Sequence, residues 1–275
     1  MIKKRWLAGA AALTMAACSG EQTSPTAAPQ EIDNTQADST LEKPAGLSVA
    51  DAIAAPSRPT ADRKDDASRR PADILAFTGV TAGMTVLEME AGNGYYTELF
   101  SSIVGPSGKV FMQNPAAFDS FLGDAVTDRL GEERLPNVQY SKTNFDALEP
   151  GDASIDLVTW FLGPHEIYFT PSDGASLGEE GATYAEIFRV LKPGGAFIVL
   201  DHAARPGSPK ETGGTLHRID PAIVEALAVN AGFKRVEESD LLRNPGDMFD
   251  MGVFDPAVRR KTDRFVIKYV KPKDI

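Results

Sequence analysis

Apolar residues fall along the chain in short blocks that switch between two periods. Five compact blocks rich in β-branched and aromatic residues read as strands: Thr85 to Met89, Lys109 to Met112, Val138 to Ser141, Ile155 to Trp160, and Ala196 to Leu200. The last is buried on both faces by its unbroken apolar character. Between them the spacing fits helices over Tyr95 to Val104, Ala116 to Leu130, Thr183 to Leu191 and Ala222 to Ala231. Turn signals such as Gly105-Pro106-Ser107-Gly108 and Lys192-Pro193-Gly194-Gly195 separate these blocks. Ala61 to Phe77 is interrupted by Pro71, which predicts two short helical pieces with Pro71 in the first turn of the second. Phe233 to Leu242 and Arg264 to Val270 supply two last strands with no helix between them. Strands alternating with helices predict an α/β fold: a Rossmann-like doubly wound sheet of about seven strands, mostly parallel, with helices on both faces and an antiparallel hairpin at one edge.

The pattern changes before residue 59. Lys3, Lys4 and Arg5 precede an apolar run from Trp6 to Ala17. That run is short of the roughly 20 residues needed to span a bilayer, and with the small residues before Cys18 it reads as a secretory signal. From Ser19 to about Arg58 the chain is rich in Ser, Thr, Pro, Ala, Glu and Asp, with little periodicity. Such a segment buries too little surface to offset its ordering entropy and reads as a tether. The segment Leu13-Thr14-Met15-Ala16-Ala17-Cys18 resembles a bacterial lipobox, with Met15 where Leu is usual. The resemblance implies cleavage before Cys18, acylation of its thiol and new amine and, with Ser19 next, sorting to the outer membrane facing the periplasm. An ordinary signal peptide is the alternative. The expected organisation is therefore a signal over 1–17, an acylated Cys18 and disordered tether over 18–58, and one folded domain over 59–275.

Composition adds exclusions. With 275 residues, 42% apolar and 24% charged, a sizeable core is affordable. The formal net charge of -11 and the lack of a dense Lys/Arg stripe argue against a nucleic-acid partner. Cys18 is the only cysteine, so no intramolecular disulfide forms.

The chemistry gathers where strands end. Glu88-Met89-Glu90-Ala91-Gly92-Asn93-Gly94 links the first strand to a helix. Small residues there let the backbone approach a ligand, and the helix N-terminus adds N–H donors and partial positive charge. The full G-x-G-x-x-G spacing of dinucleotide enzymes is absent. His165, His202 and His217 all fall in loops expected on the carboxyl side of the sheet, where ligands of such folds bind. A histidine is poised for general-base work near neutral pH. No two histidines stand at i, i+4, and no cysteine remains once Cys18 is acylated, so no metal is expected. Arg218 and Arg259-Arg260-Lys261 are candidates to hold an anionic substrate, with a solvated face as the alternative.

Val86 to Thr97, spanning the glycine loop, resembles motif I of class I S-adenosylmethionine (SAM) methyltransferases. Leu191 to Asp201 resembles their late helix-turn-strand motif. Asp201 to Ala204, Thr215 to Asp220 and Phe254 to Phe265 are similar to a bacterial family of predicted exported methyltransferases. The resemblance covers residues 60–275 and implies SAM as methyl donor. It implies that Glu88 meets the SAM amino group, that Gly92, Asn93 and Gly94 lie at the loop facing its methionine part, and that Asn144 or, by preference, Asp146 meets the adenine. Two positions depart from the pattern. Glu90 stands where a glycine is usual, and Gln113-Asn114-Pro115 stands where a carboxylate accepts the ribose hydroxyls. Gln113 can still bond a ribose, but charge-assisted bonds are roughly twice as strong, which implies weak SAM binding or a different ligand. His165 or His202 is the expected base, with Asp201 to orient it. The expected function is methyl transfer from SAM to a small-molecule or envelope acceptor. A ligand-binding protein on the same scaffold, or a histidine-dependent enzyme of another class, are the alternatives.

Overall fold

A computed structural model describes residues 45–274. Four short helices come first: α1 (Val49–Ala54), α2 (Thr60–Arg63), α3 (Asp66–Arg69) and α4 (Pro71–Thr78). Then follow β1 (Thr85–Met89), α5 (Tyr95–Val104), β2 (Lys109–Gln113), α6 (Asp119–Leu122), α7 (Ala125–Leu130), β3 (Val138–Ser141) and β4 (Ile155–Phe161). The chain continues with α8 (Glu180–Val190), β5 (Leu191–His202), α9 (Thr212–Leu216), α10 (Pro221–Asn230), β6 (Lys234–Ser239) and β7 (Arg264–Val270). The strands form one sheet in the order β3-β2-β1-β4-β5-β7-β6. The pairings from β3 through β5 are parallel, and those of β7 with β5 and β6 are antiparallel. The doubly wound sheet read from the sequence is the observed one.

Pleating divides each central strand between two cores. Leu87, Val158, Trp160, Phe197, Val199 and Ile267 face one side, where Tyr184, Ile187 and Val190 of α8 and Val224 and Ala228 of α10 cover them. Val86, Leu157, Phe161, Ile198, Leu200 and Val266 face the other, under Ala52 of α1, Ile74 and Leu75 of α4, and Leu99, Phe100 and Ile103 of α5. Helices cover both faces of the sheet, so only the strand ends are free to build a site.

Three expectations change in detail. The expected tether over 18–58 gives way to folded chain within the described residues: α1 starts at Val49, capped by Ser48 accepting from the Asp51 N–H. The Leu47 N–H donates to the Ser102 carbonyl, and a Cβ at Gly46 would stand 1.7 Å from the Ile103 carbonyl oxygen, so this stretch is pressed onto α5. Cys18, the signal and the rest of the tether lie outside the described residues. Ala61 to Phe77 forms three pieces rather than two: the expected break falls at Arg70, left-handed (φ 47°) before Pro71 opens α4, and a second break at Lys64 and Asp65 separates α2 from α3. Ala116 to Leu130 is broken at Gly123 (φ 50°), where α6 ends. Among the described residues no helix is long and apolar enough to cross a membrane.

Candidate functional site

The carboxyl ends of β1, β4 and β5 open on a cavity of about 430 Å³. Its floor is the glycine loop. Gly92 (φ 58°) borders open space, since a Cβ there would meet nothing within 4 Å. Gly94 (φ 80°) is the N-cap of α5 and offers no side-chain cap, so the first-turn N–H groups of that ten-residue helix are left for a ligand. Asn93 lines the cavity, and its carbonyl accepts from Arg129 Nε at 2.8 Å.

The two amides at the end of β2 do a different job from the one expected. Gln113 Oε1 accepts the Glu90 N–H at 2.9 Å, and its Nε2 donates to the Thr143 carbonyl at 2.6 Å. Asn114 Oδ1 accepts the Gly92 N–H at 2.8 Å, and its Nδ2 donates back to the Gly92 carbonyl at 3.0 Å. Both side chains are fully buried and neither borders the cavity. They clamp the loop, which needs them because Glu90 itself is left-handed (φ 50°). Gln113 is thus not free to meet a ribose. Asn144 and Asp146 also turn elsewhere: Asn144 Nδ2 donates to the Ser176 carbonyl, and Asp146 Oδ2 accepts the Glu179 N–H ahead of α8.

Two carboxyls of the loop border the cavity, Glu88 buried and Glu90 half-buried. Glu88 accepts from Thr97 Oγ1 at 2.5 Å, and burial pushes its pKa up to about 8. Glu90 Oε2 accepts from Trp160 Nε1 at 3.0 Å, and burial, with the Glu166 charge adding to it, holds this carboxyl well above the usual range. Glu90 therefore points to β4, across the mouth of the loop.

The histidines converge. His165 sits in the single 3-10 turn Pro164–Tyr168 after β4. Asp201, on β5, receives the His165 N–H at 2.9 Å on one oxygen and faces Nδ1 of that ring at 2.8 Å with the other. The remaining ring nitrogen, Nε2, is 3.1 Å from Glu166 Oε1. His217, left-handed at the end of α9 (φ 53°), brings its Nδ1 within 2.9 Å of the same oxygen. Burial opposes a charge on His165, but Asp201 overcomes it and raises the pKa to about 10. Burial likewise opposes charge on Glu166, and the bonds from His165 and His217 reverse this, to about 2. His202 is separate: its Nδ1 bonds Thr262 Oγ1 at 2.7 Å, and burial, then the charge on His165, hold it well below the ordinary histidine range. Asp201 thus orients His165 rather than its sequence neighbour, because adjacent strand residues point apart.

A second cavity of about 290 Å³ adjoins the first and is apolar, walled by Phe118, Phe121, Leu122, Phe169 and Phe254. Glu166 belongs to both. Arg69 enters the main cavity with its guanidinium 4.5 Å above the Tyr95 ring. Of the arginines considered for an anionic substrate, Arg218 is fully buried against Asp247 at 2.8 Å and is structural, while Arg259 and Arg260 border a shallow hollow beside His202. Arg69, Glu166 and the phenylalanines escaped sequence reasoning. Only Glu166, next to His165 at a strand end, carried a local signal.

Against this geometry, comparison with known proteins is consistent. The model of the ubiE/COQ5 methyltransferase family matches residues 69–209. The ubiquinone/menaquinone biosynthesis C-methyltransferase UbiE of Cronobacter sakazakii is 30% identical over 176 residues, 61% of this chain and 63% of that protein. The UbiE of Hydrogenovibrio crunogenus is 34% identical over 128 residues, 46% of this chain and 45% of its own. The chain thus spans less than two thirds of either relative. A SAM-dependent methyltransferase from Aquifex aeolicus has the same fold, with a TM-score of 0.54 at 18% identity over 82% of this chain and 99% of that one.

Proposed function

The chain belongs to the ubiE/COQ5 methyltransferase family, and from that premise we propose that it transfers a methyl group from SAM to a small apolar acceptor. One observation carries the reading: the cavity over the glycine loop and the α5 N-terminus opens into a phenylalanine-walled hollow beside the histidines. Bound over that loop, SAM supplies a methyl group on a sulfonium centre. The free N–H groups of α5 and the Arg69 guanidinium suit a carboxylate, and Glu88, protonated up to about pH 8 without a ligand, would give up that proton to pair with an ammonium. The hollow excludes water from an apolar acceptor. The known relatives are named as quinone-pathway C-methyltransferases, which suits an acceptor with a ring.

His202 is the base in this reading. Its ring lines the main cavity, Thr262 fixes it from behind, and its burial favours the neutral, proton-accepting form. As the acceptor atom bonds the methyl carbon and the carbon–sulfur bond breaks, the proton lost by the acceptor passes to His202. His165 is engaged by Asp201 and Glu166 and does not serve.

Calorimetric titration of SAM into the full chain tests the donor. We expect one weak site, because no carboxylate replaces the buried Gln113 and Asn114 at a ribose. Gln113→Asp should not tighten it. Instead it removes the bond to Thr143 and places a charge in a dry position, which costs about 1–3 kcal/mol of stability. Absence of binding at millimolar SAM sinks the transferase reading. The same clamp favours a second reading, ligand binding without transfer. Binding that is never followed by release of S-adenosylhomocysteine in the presence of quinol-type acceptors would support it.

We also propose that the protein works at the cell envelope, anchored through acylated Cys18. The cationic start, the short apolar run and the lipobox-like segment support this.

A further inference from the structure

Among the described residues, His165, Glu166 and His217 bring three potential ligand atoms to within 4.8 Å of one another. We infer that His165 Nε2, the Glu166 carboxylate and His217 Nδ1 form a site for a divalent transition-metal ion, zinc or iron by donor type, with its open side toward the two cavities.

The spacing fits. The three atoms make a triangle with edges of 3.1 Å (Nε2 to Oε1), 2.9 Å (Oε1 to Nδ1) and 3.3 Å (Nδ1 to Nε2). An ion holding His nitrogen and carboxylate oxygen at about 2.0–2.2 Å sets neighbouring ligands ~3 Å apart. The ion then sits just above the triangle and touches all three without rearranging the backbone.

A second observation points to a ligand. Glu166 is 8% exposed, yet its other oxygen, Oε2, is buried with no hydrogen-bond partner among the described residues. Buried carboxylate oxygens are ordinarily satisfied, and one left bare is costly. An ion at the triangle neutralises that carboxylate. It also matches the charge nearby: two positive charges face Glu166 and Asp201.

His165 is prepared for the role. Asp201 takes its Nδ1 side, which leaves Nε2 directed at Glu166. Asp201 is itself held by the backbone N–H groups of His165 and His202, at 2.9 and 2.7 Å. A carboxylate behind a metal-bound histidine is the usual means of fixing its orientation and raising its basicity. Two histidines and one carboxylate leave at least one coordination position for water or an acceptor oxygen, and Glu166 stands where the main cavity meets the apolar hollow. The ligands come from a turn after β4 and the end of α9, not from one helix, so no i, i+4 spacing marks them in the sequence.

The site does not depend on methyl transfer, and the test separates the two. The full chain, stripped with chelator and dialysed, is titrated with Zn²⁺ by calorimetry and with Co²⁺ by visible absorption. One ion per chain is expected, with the intense Co²⁺ bands of a low-coordinate N/O site. Glu166→Gln and His217→Ala should each weaken binding at least about tenfold, and Asp201→Asn by about 10–100-fold, the usual range for an outer-shell partner. His202→Ala should keep the ion. His217 lies at the rim, with its side chain 18% exposed, so His217→Ala should fold normally by circular dichroism and can decide the matter if another variant does not. An unliganded wild type, or equal uptake by wild type, Glu166→Gln and His217→Ala, overturns the inference. SAM titration of the same samples reports the donor site independently.

Discussion

Glu88 illustrates what one side chain can reveal. The sequence placed it at the end of β1 beside a glycine loop, and it is there, bordering the cavity. Its burial was not legible, because that depends on Thr97 and α5 closing over it. In the fold its carboxyl holds its proton up to about pH 8, against an ordinary value of 4.5. The folded chain therefore binds more protons than the unfolded one between those values. This group's contribution to stability is complete below about pH 4.5 and is lost as pH rises towards 8. Glu88→Gln lacks this dependence. Its melting temperature relative to wild type should climb between pH 5 and pH 8, by differential scanning calorimetry. A constant offset would show that the carboxyl is not held neutral. Gln113 teaches the converse: its position was legible, its orientation was not, since only the folded loop shows that both ends of the amide are already bonded.

At the scale of elements, the strands were easiest to read because burial on both faces leaves little but apolar residues in β1, β4 and β5. The order of β7 and β6 was not legible, because strand pairing is set by contacts far apart in sequence. Nor was the purpose of the broken segment after β2. Splitting it at Gly123 lets α7 turn Arg129 inward, where it pairs with Asp62 of α2 at 2.8 Å and Glu98 of α5 at 2.9 Å while its Nε holds the glycine loop at Asn93. Three elements and the loop thus share one guanidinium. Arg129→Ala leaves buried Asp62 without its partner and Glu98 with Arg134 alone, and we expect a loss of about 3–5 kcal/mol in urea unfolding. SAM affinity should fall with it, because the Asn93 carbonyl loses its donor. A loss below 1 kcal/mol would mean that the network is incidental.

On the scale of the whole molecule, the organisation was legible in outline and its boundary was not. A polar, proline-bearing stretch reads as tether from composition alone. Yet residues 45–58 contribute Ala52 to the core and lay Gly46 against α5. A few well-placed small residues can dock a segment whose average character is that of a linker. If the remainder tethers the domain to a lipid at Cys18, Cys18→Ser should move the protein from the membrane to the soluble fraction of a fractionated cell. Retention at the membrane would refute the anchor.

The position of β7 carries a consequence for how such a chain is made. Residues 264–270 lie between β5 and β6, in the interior of the sheet and not at its margin. Strands drawn from residues 85 to 202 therefore wait for a segment synthesised some sixty residues later before their layer is complete, a long-range closure that is slow by its topology. A chain emerging from a ribosome stays pliable until almost all of it has been made. The assembled sheet and the histidine-lined cavity then arrive together.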